Sequence, residues 1–222
     1  QWHRGVVRMS DAAQHGRFIA FEGGEGTGKS TQSQLLANAL RATGKTVEVT
    51  REPGGTEGAE AIRELLLHPP GQGWNAQSEA LLFAAARADH VSRLIRPAIA
   101  SGAWVVCDRF VDSSRAYQGG AGGLGDDAIR ALHGFGSDGL RPDCTILLEV
   151  DESRLSERLT ARDGDTSDAI GGRSAEYHRA VAQSFRLLAE KDPAGFRIVD
   201  GMGSPEEVHA RILAALAPML EA

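Results

Sequence analysis

The chain has 222 residues, a formal net charge of −6 and a mean hydropathy of −0.25. That length suits one α/β domain with an insertion and is ample for a packed core. The acidic balance argues against general binding to nucleic acid or to a membrane surface.

Residues 1–16 read as an N-terminal extension, with Met9 as a natural start and Gln1–Arg8 as an upstream or appended segment. That segment carries no secretory apolar core. The longest unbroken apolar stretch near the middle, Leu81–Ala86, is far too short to span a bilayer. Both points favour the cytoplasm. The two cysteines, Cys107 and Cys144, sit in apolar runs and are expected to be buried and reduced, with no metal-ligand spacing. Lysine and arginine together number 24, and only Lys29, Lys45 and Lys191 are lysine. Arginine suits bidentate phosphate contacts, but genome composition explains a bias equally well, so only placed arginines carry weight.

The first structured run is Phe18–Phe21, a short apolar strand. A glycine-rich loop follows, and then a helix over Thr31–Leu40 with Leu35, Leu36, Ala39 and Leu40 on one face and Gly44 as its stop. Thr46–Thr50 reads as a second strand, running into the proline- and glycine-stiffened loop Arg51–Thr56. A short helix is expected over Glu60–Leu67, ended at His68–Gly71. A long one, capped by Asn75 or Ser78, is expected over Ala76–Arg96, with Leu81, Leu82, Ala85 and Ala88 toward the core and a kink at Pro97. Trp104–Asp108 is an apolar strand closed by a carboxylate. Ser113–Gln118 starts a helix that Gly119–Gly125 should break, and Asp126 or Asp127 starts another through His133. Thr145–Val150 is the fourth strand, and Glu152–Ala161 reads as helix. Arg162 to about Arg173 is polar, glycine-bearing and poor in apolar residues, the mark of a mobile lid. Ala175–Lys191 returns to helix, Arg197–Asp200 is the fifth strand, and Ser204 with Pro205 opens a last helix to about Ala217.

Strands and helices alternate throughout. The expected fold is therefore α/β, a five-stranded parallel sheet with helices on both faces and ligands at the carboxyl ends of the strands. One domain over 17–218 is expected, with no internal repeat.

The loop after the first strand is Gly23-Gly24-Glu25-Gly26-Thr27-Gly28-Lys29-Ser30, followed by Thr31. It fits G-x-x-x-x-G-K-[ST], the P-loop. Its glycines let backbone N–H groups turn onto phosphate oxygens at a helix N-terminus. In that motif Lys29 reaches the β- and γ-phosphates and the Ser30 hydroxyl ligates Mg²⁺. A P-loop alone implies a nucleoside triphosphate but not a reaction. Asp108-Arg109 closes an apolar strand whose end should lie near the loop. A carboxylate there can hold Mg²⁺, and an arginine there can bind a second phosphate, which suits a kinase better than a plain ATPase. Asp151 after the fourth strand is the rival carboxylate, but it lacks the adjacent arginine.

Four stretches in this order carry a resemblance: Phe21–Thr31, Thr50–Thr56, Asp108–Phe110 and Ala116–Gly119. Together the chain resembles bacterial thymidylate kinases from Arg17 to Leu216, within the P-loop NTPase three-layer fold. The resemblance implies transfer of the γ-phosphoryl of ATP to dTMP with Mg²⁺, and a homodimer. It implies that Glu25 accepts from the sugar 3′-OH, and that Arg109 and Arg51 hold the acceptor phosphate. Phe83 would stack on thymine, and Arg87, one helical turn away on the same face, would meet its O4. Ser113, Ser114 and Tyr117 match positions around the base and the 2′ carbon. Relatives whose P-loop lacks arginine take one from the lid. This P-loop lacks one, so Arg162 and Arg173 are the candidates, with Arg158 third, in a lid more acidic than the family pattern. The rivals are a kinase for another nucleotide and an ATP-dependent switch without an acceptor.

Overall fold

The computed structural model describes residues 16–151 and 169–221. Its strands are β1 (Phe18–Glu22), β2 (Val47–Arg51), β3 (Trp104–Asp108), β4 (Cys144–Glu149) and β5 (Phe196–Asp200). All pair in parallel in the order β2-β3-β1-β4-β5. Successive side chains of a strand point to opposite faces, and β1 shows the result. Ile19 and Phe21 enter one core with Leu36, Leu40, Ile212 and Leu216, while Phe18 and Ala20 enter another with Val91, Ile95 and Phe110. All five β1 residues are buried. That fixes β1 at the centre of a sheet covered on both faces, as its unbroken apolar run predicted.

The helices are α1 (Lys29–Ala42), α2 (Glu57–Leu67), α3 (Ala76–His90), α4 (Arg96–Ala100), α5 (Val111–Ser114), α6 (Asp126–Ser137), α7 (Ala175–Lys191) and α8 (Pro205–Leu220). Thr56, Asn75, Ser174 and Ser204 cap α2, α3, α7 and α8 with side-chain oxygens. Before α1 stands Gly28, which offers no such cap. No helix among the described residues is long and apolar enough to cross a membrane.

Three expectations change. The long helix turns Leu81 and Ala85 outward and leaves Leu82 and Ala88 half-buried: Leu81 is 55% exposed, and the buried positions are Glu79, Ala80, Ala86, Arg87 and His90. Its inward face is polar because hydrogen-bond partners await it there, described below. The irregular turn comes before Pro97 rather than at it. A π-helical turn, Val91–Ile95, joins α3 to α4 and places Pro97 in the first turn of α4. This wider turn contains Arg93, whose carbonyl the proline ring would otherwise meet. Finally, Gly119 and Gly120 do not end the helix begun at α5, which continues as a π-helical segment through Arg115–Ala121. Gly120 faces Ser184 of α7, where a Cβ would overlap the serine side chain, so this glycine serves close helix approach rather than a break. The helix expected at Glu152–Ala161 and most of the lid lie outside the described residues.

Candidate active site

The loop between β1 and α1 turns at Gly23, whose φ of 139° is in the region that favours glycine. A Cβ there would come within 2.6 Å of the Leu148 carbonyl oxygen. Lys29 folds back over the loop, its Nζ donating to the Gly24 carbonyl at 2.6 Å and to Thr27 Oγ1 at 3.3 Å. Burial, assisted by the nearby Arg109 charge, lowers the Lys29 pKa to about 8, against the opposing pull of Glu25, Asp108 and Glu22. The amine is therefore a cation held short of anionic partners, next to the uncapped N-terminus of α1.

Parallel pairing sets Phe21 beside Asp108, so the end of β3 opens next to the loop. The Ser30 hydroxyl donates to Asp108 Oδ2. The other carboxylate oxygen, Oδ1, is buried with no hydrogen-bond partner. An orphaned carboxylate oxygen beside a hydroxyl is the oxygen donor set a hard cation such as Mg²⁺ takes. The rival strand end is otherwise engaged: Glu149 of β4 pairs with Arg186 at 2.7 Å, and Asp151 is exposed.

Arg109 directly follows β3 and adopts a left-handed φ of 72°, uncommon for a residue with a side chain. Its Nη2 lies 2.6 Å from Glu25 Oε1, and its Nη1 donates to the Gly23 carbonyl at 3.0 Å and to Ser113 Oγ at 3.1 Å. Burial works against this charge and is the largest single influence, but Glu25, Tyr117, Asp108 and Glu22 together outweigh it, and the guanidinium holds its proton more tightly than usual. The Tyr117 hydroxyl lies 3.3 Å from the same Glu25 oxygen, and the Arg109 guanidinium stacks 5.2 Å over its ring. Burial pushes the Tyr117 phenol well above its usual range, so it stays neutral.

Beyond this pair opens a cleft that is continuous with solvent. Glu25, Phe83, Arg109, Ser113, Ser114 and Tyr117 line it. The cleft thus adjoins the phosphate loop through Glu25 and continues into a partly apolar recess, a shape that fits a second ligand carrying both an anionic end and a flat ring.

The sequence matches the thymidylate kinase family over residues 21–212. The chain belongs to the thymidylate kinase family. It is 58% identical to a thymidylate kinase of Rhizorhabdus wittichii over 205 residues, which cover 92% of this chain and 99% of that one. It is 43% identical to a thymidylate kinase of Bradyrhizobium diazoefficiens over 218 residues, 96% of each chain. Among solved structures it resembles the thymidylate kinase of Ehrlichia chaffeensis with a TM-score of 0.72 and 32% identity, over 90% of this chain and 98% of that one.

For a thymidylate kinase, the expected site residues fall into clear groups. Six of them share the cleft wall named above. Arg87 lies just behind that wall, 3% exposed, donating from Nη2 to Ser114 Oγ at 2.9 Å and stacked 5.5 Å over Phe110. Arg51 is not on the wall: it is exposed and pairs with Glu60 of α2 at 2.9 Å. Arg173 stands just before α7 and is bound by Glu79, with its Nη1 donating to Tyr177 Oη at 2.5 Å. Arg162 and Arg158 lie outside the described residues.

Sequence reasoning assigned no role to several buried groups beside this cleft. Glu22 ends β1 at 0% exposure and accepts from Phe110 N at 2.8 Å, Ser113 N at 2.9 Å and Ser113 Oγ at 2.6 Å. Burial raises its pKa to about 7. Its signal was a carboxylate closing an apolar strand, the same signal that drew attention to Asp108. Glu52 is buried between Arg87 and His90, at 2.7 Å and 3.0 Å, and Glu79 accepts from Gln118 Nε2 at 2.9 Å. Glu52 belongs to the Arg51–Gly55 stretch, but nothing in a single sequence pairs it with residues on α3.

Proposed function

We propose that the chain transfers the γ-phosphoryl group of ATP to dTMP, giving ADP and dTDP. The observation that carries this reading is the Glu25–Arg109 pair, which joins the phosphate loop to the cleft. A plain ATPase needs no such second site beside the phosphate loop. An acceptor phosphate oxygen would attack the γ-phosphorus in line, and the bond to the ADP oxygen would break. Such transfer passes through a loose, highly charged transition state, so positioning and charge neutralisation dominate.

Gly23–Thr31 would cradle the ATP phosphates, with Lys29 turning from the Gly24 carbonyl onto the γ-phosphate. Arg109 would hold the acceptor phosphate, and Glu25 the sugar 3′-OH. Phe83 would pack on the base, with Arg87 and Ser114 at its edge and Tyr117 and Ser113 beside the sugar. Arg51 would reach the acceptor phosphate only by leaving Glu60. Ser30 and Asp108 would hold Mg²⁺, which supplies charge neutralisation at the β- and γ-phosphates. A lid over about 162–173 would bring Arg162 or Arg173 and exclude water. The same reading carries a single kinase domain over 17–218, a cytoplasmic location and a homodimer, for which exposed Leu81 on α3 offers apolar area.

A coupled assay across dTMP, dUMP, dCMP, dGMP and UMP tests the acceptor. Preference for dTMP is expected, and ATP hydrolysis without acceptor stimulation would sink the reading. Lys29→Ala should lose most transfer while staying folded, and near-normal turnover would remove Lys29 from its role.

A further inference from the structure

A buried polar row runs from the sheet to the cleft wall. Thr50 Oγ1 on β2 lies 2.7 Å from His90 Nε2, and His90 Nδ1 lies 3.0 Å from Glu52 Oε1. Glu52 Oε2 accepts from Arg87 Nε at 2.7 Å, and Arg87 Nη2 donates to Ser114 Oγ at 2.9 Å. His90 is 0% exposed and Glu52 5%. A carboxylate oxygen accepts, so His90 donates to Glu52 from Nδ1, and its Nε2 shares a hydrogen bond with the Thr50 hydroxyl.

The arrangement at Arg87 is unusual in one respect. An arginine beside a carboxylate favours a two-point fork, here Nε and Nη2 onto the two Glu52 oxygens. That fork is not made. His90 donates to Oε1, Arg87 reaches Oε2 through Nε alone, and its Nη2 donates to Ser114, which lines the cleft, and at 3.4 Å to the Phe110 carbonyl.

We propose that His90 is a positioning residue for the acceptor base: by holding Glu52 Oε1 it fixes the orientation of the carboxylate, so that Arg87 meets it through Nε alone and keeps Nη2 turned to the cleft wall. This rests on the reading of Arg87 as the residue that meets the base. Without the histidine, the guanidinium rotates onto Glu52 and Ser114 loses its donor. A buried imidazole is costly where a leucine would pack, and orienting Glu52 gives it a purpose at that position.

The test compares the volume-matched double variant His90→Leu/Thr50→Val, which leaves no stranded hydroxyl, with His90→Asn, which keeps a donor near the Nδ1 position. The double variant is expected to raise KM for dTMP about tenfold, the worth of one charge-assisted hydrogen bond. Its kcat and its KM for ATP should stay within about twofold, and its preference for dTMP over dCMP should fall. His90→Asn should recover most of the dTMP KM. A folded double variant with unchanged KM for dTMP overturns the inference, as does a parallel rise in both KM values. Should the double variant not fold, nitrogen NMR of the unaltered protein decides: a protonated Nδ1 is expected, and a bare Nδ1 overturns the inference. Arg87→Ala, measured alongside, separates the two readings. Unchanged dTMP KM there defeats base contact by Arg87, whereas a rise there without one in the double variant defeats only the role of His90.

Discussion

Arg109 Nη2 and Glu25 Oε1 meet at 2.6 Å, although one residue follows β3 and the other lies inside the loop after β1. Both side chains are mostly buried, 15% and 21% exposed, so the pair is shielded from solvent screening. In the proposed reading dTMP enters between them, its phosphate on Arg109 and its 3′-OH on Glu25. Glu25→Ala should then lower kcat/KM for dTMP by about 10- to 100-fold, the range for one hydrogen bond to a charged group. The comparison that matters is with 3′-deoxy-dTMP, which has no hydroxyl to offer. Its kcat/KM should change less than about threefold on the same substitution, since the bond is already missing. Equal losses for both acceptors would mean that Glu25 acts only through Arg109.

Lys29 leads to a pH dependence in ATP binding. Burial and the neighbouring Arg109 lower its pKa to about 8 in the free protein. A triphosphate on the amine favours the charged form and draws the pKa back up. Above pH 8 the free protein has lost the proton that the complex keeps, so ATP affinity should fall toward tenfold per pH unit, and binding near pH 8 should take up protons. Affinity titrations from pH 7 to 9.5, with calorimetry in buffers of different ionisation enthalpy, measure both. Constant affinity over that window contradicts the role of Lys29 at the phosphates.

Much of this was legible in the sequence, and the parts that were not share a cause. The strands were visible because buried parallel strands read as short apolar runs, and the P-loop because glycine, lysine and serine recur at fixed spacing. The inward face of α3 was misread because apolar residues were assumed to turn inward. Glu79, Arg87 and His90 turn inward instead, and their partners Gln118, Glu52 and Thr50 lie 39, 35 and 40 residues away in the chain. Periodicity reports on a helix and its solvent, and is silent about a polar partner supplied by another element. The π-helical turns were missed for a related reason. Pro97 is a local signal to kink and Gly120 one to stop, but the neighbouring backbone and Ser184 of α7 give each another use.

The two lid candidates separate by what Arg173 already touches. Its guanidinium is bound by Glu79 and Tyr177, and Tyr177 Oη in turn donates to the Tyr117 carbonyl at 2.9 Å. These partners adjoin the proposed acceptor cleft: Tyr117 lines it, and Glu79 is tied to Gln118 on the same wall. Arg173→Ala should therefore raise KM for dTMP severalfold and leave kcat within about fivefold, whereas Arg162→Ala should cost kcat about 100-fold, as expected for a cation acting in the transition state. Steady-state kinetics on the two variants decide, and a 100-fold loss of kcat on Arg173→Ala would give it the phosphoryl-transfer role instead.

Glu22 gives the last prediction, and it concerns stability. Its carboxyl titrates near pH 7 in the folded protein because burial, then Asp112, disfavours its charge against the opposing help of Arg109 and the Ser113 and Phe110 donors. An unfolded glutamate titrates near 4.5. The folded state thus binds more protons between those values. Its contribution is fully present below pH 4.5 and is lost as pH rises through 7. The loss amounts to about 3 kcal/mol, at about 1.4 kcal/mol per pH unit of separation. The substitution Glu22→Gln keeps the geometry. The amide carbonyl can accept from Phe110 N and Ser113 N, which both use Glu22 Oε1, and the amide nitrogen can donate to Ser113 Oγ, which now bonds Oε2. Glu22→Gln should therefore be more stable than the parent at pH 8, and the difference should shrink to little at pH 5. Urea unfolding at the two pH values measures it. A variant less stable at pH 8 would show that the charge on Glu22, and not only its hydrogen bonds, holds the turn that carries Arg109.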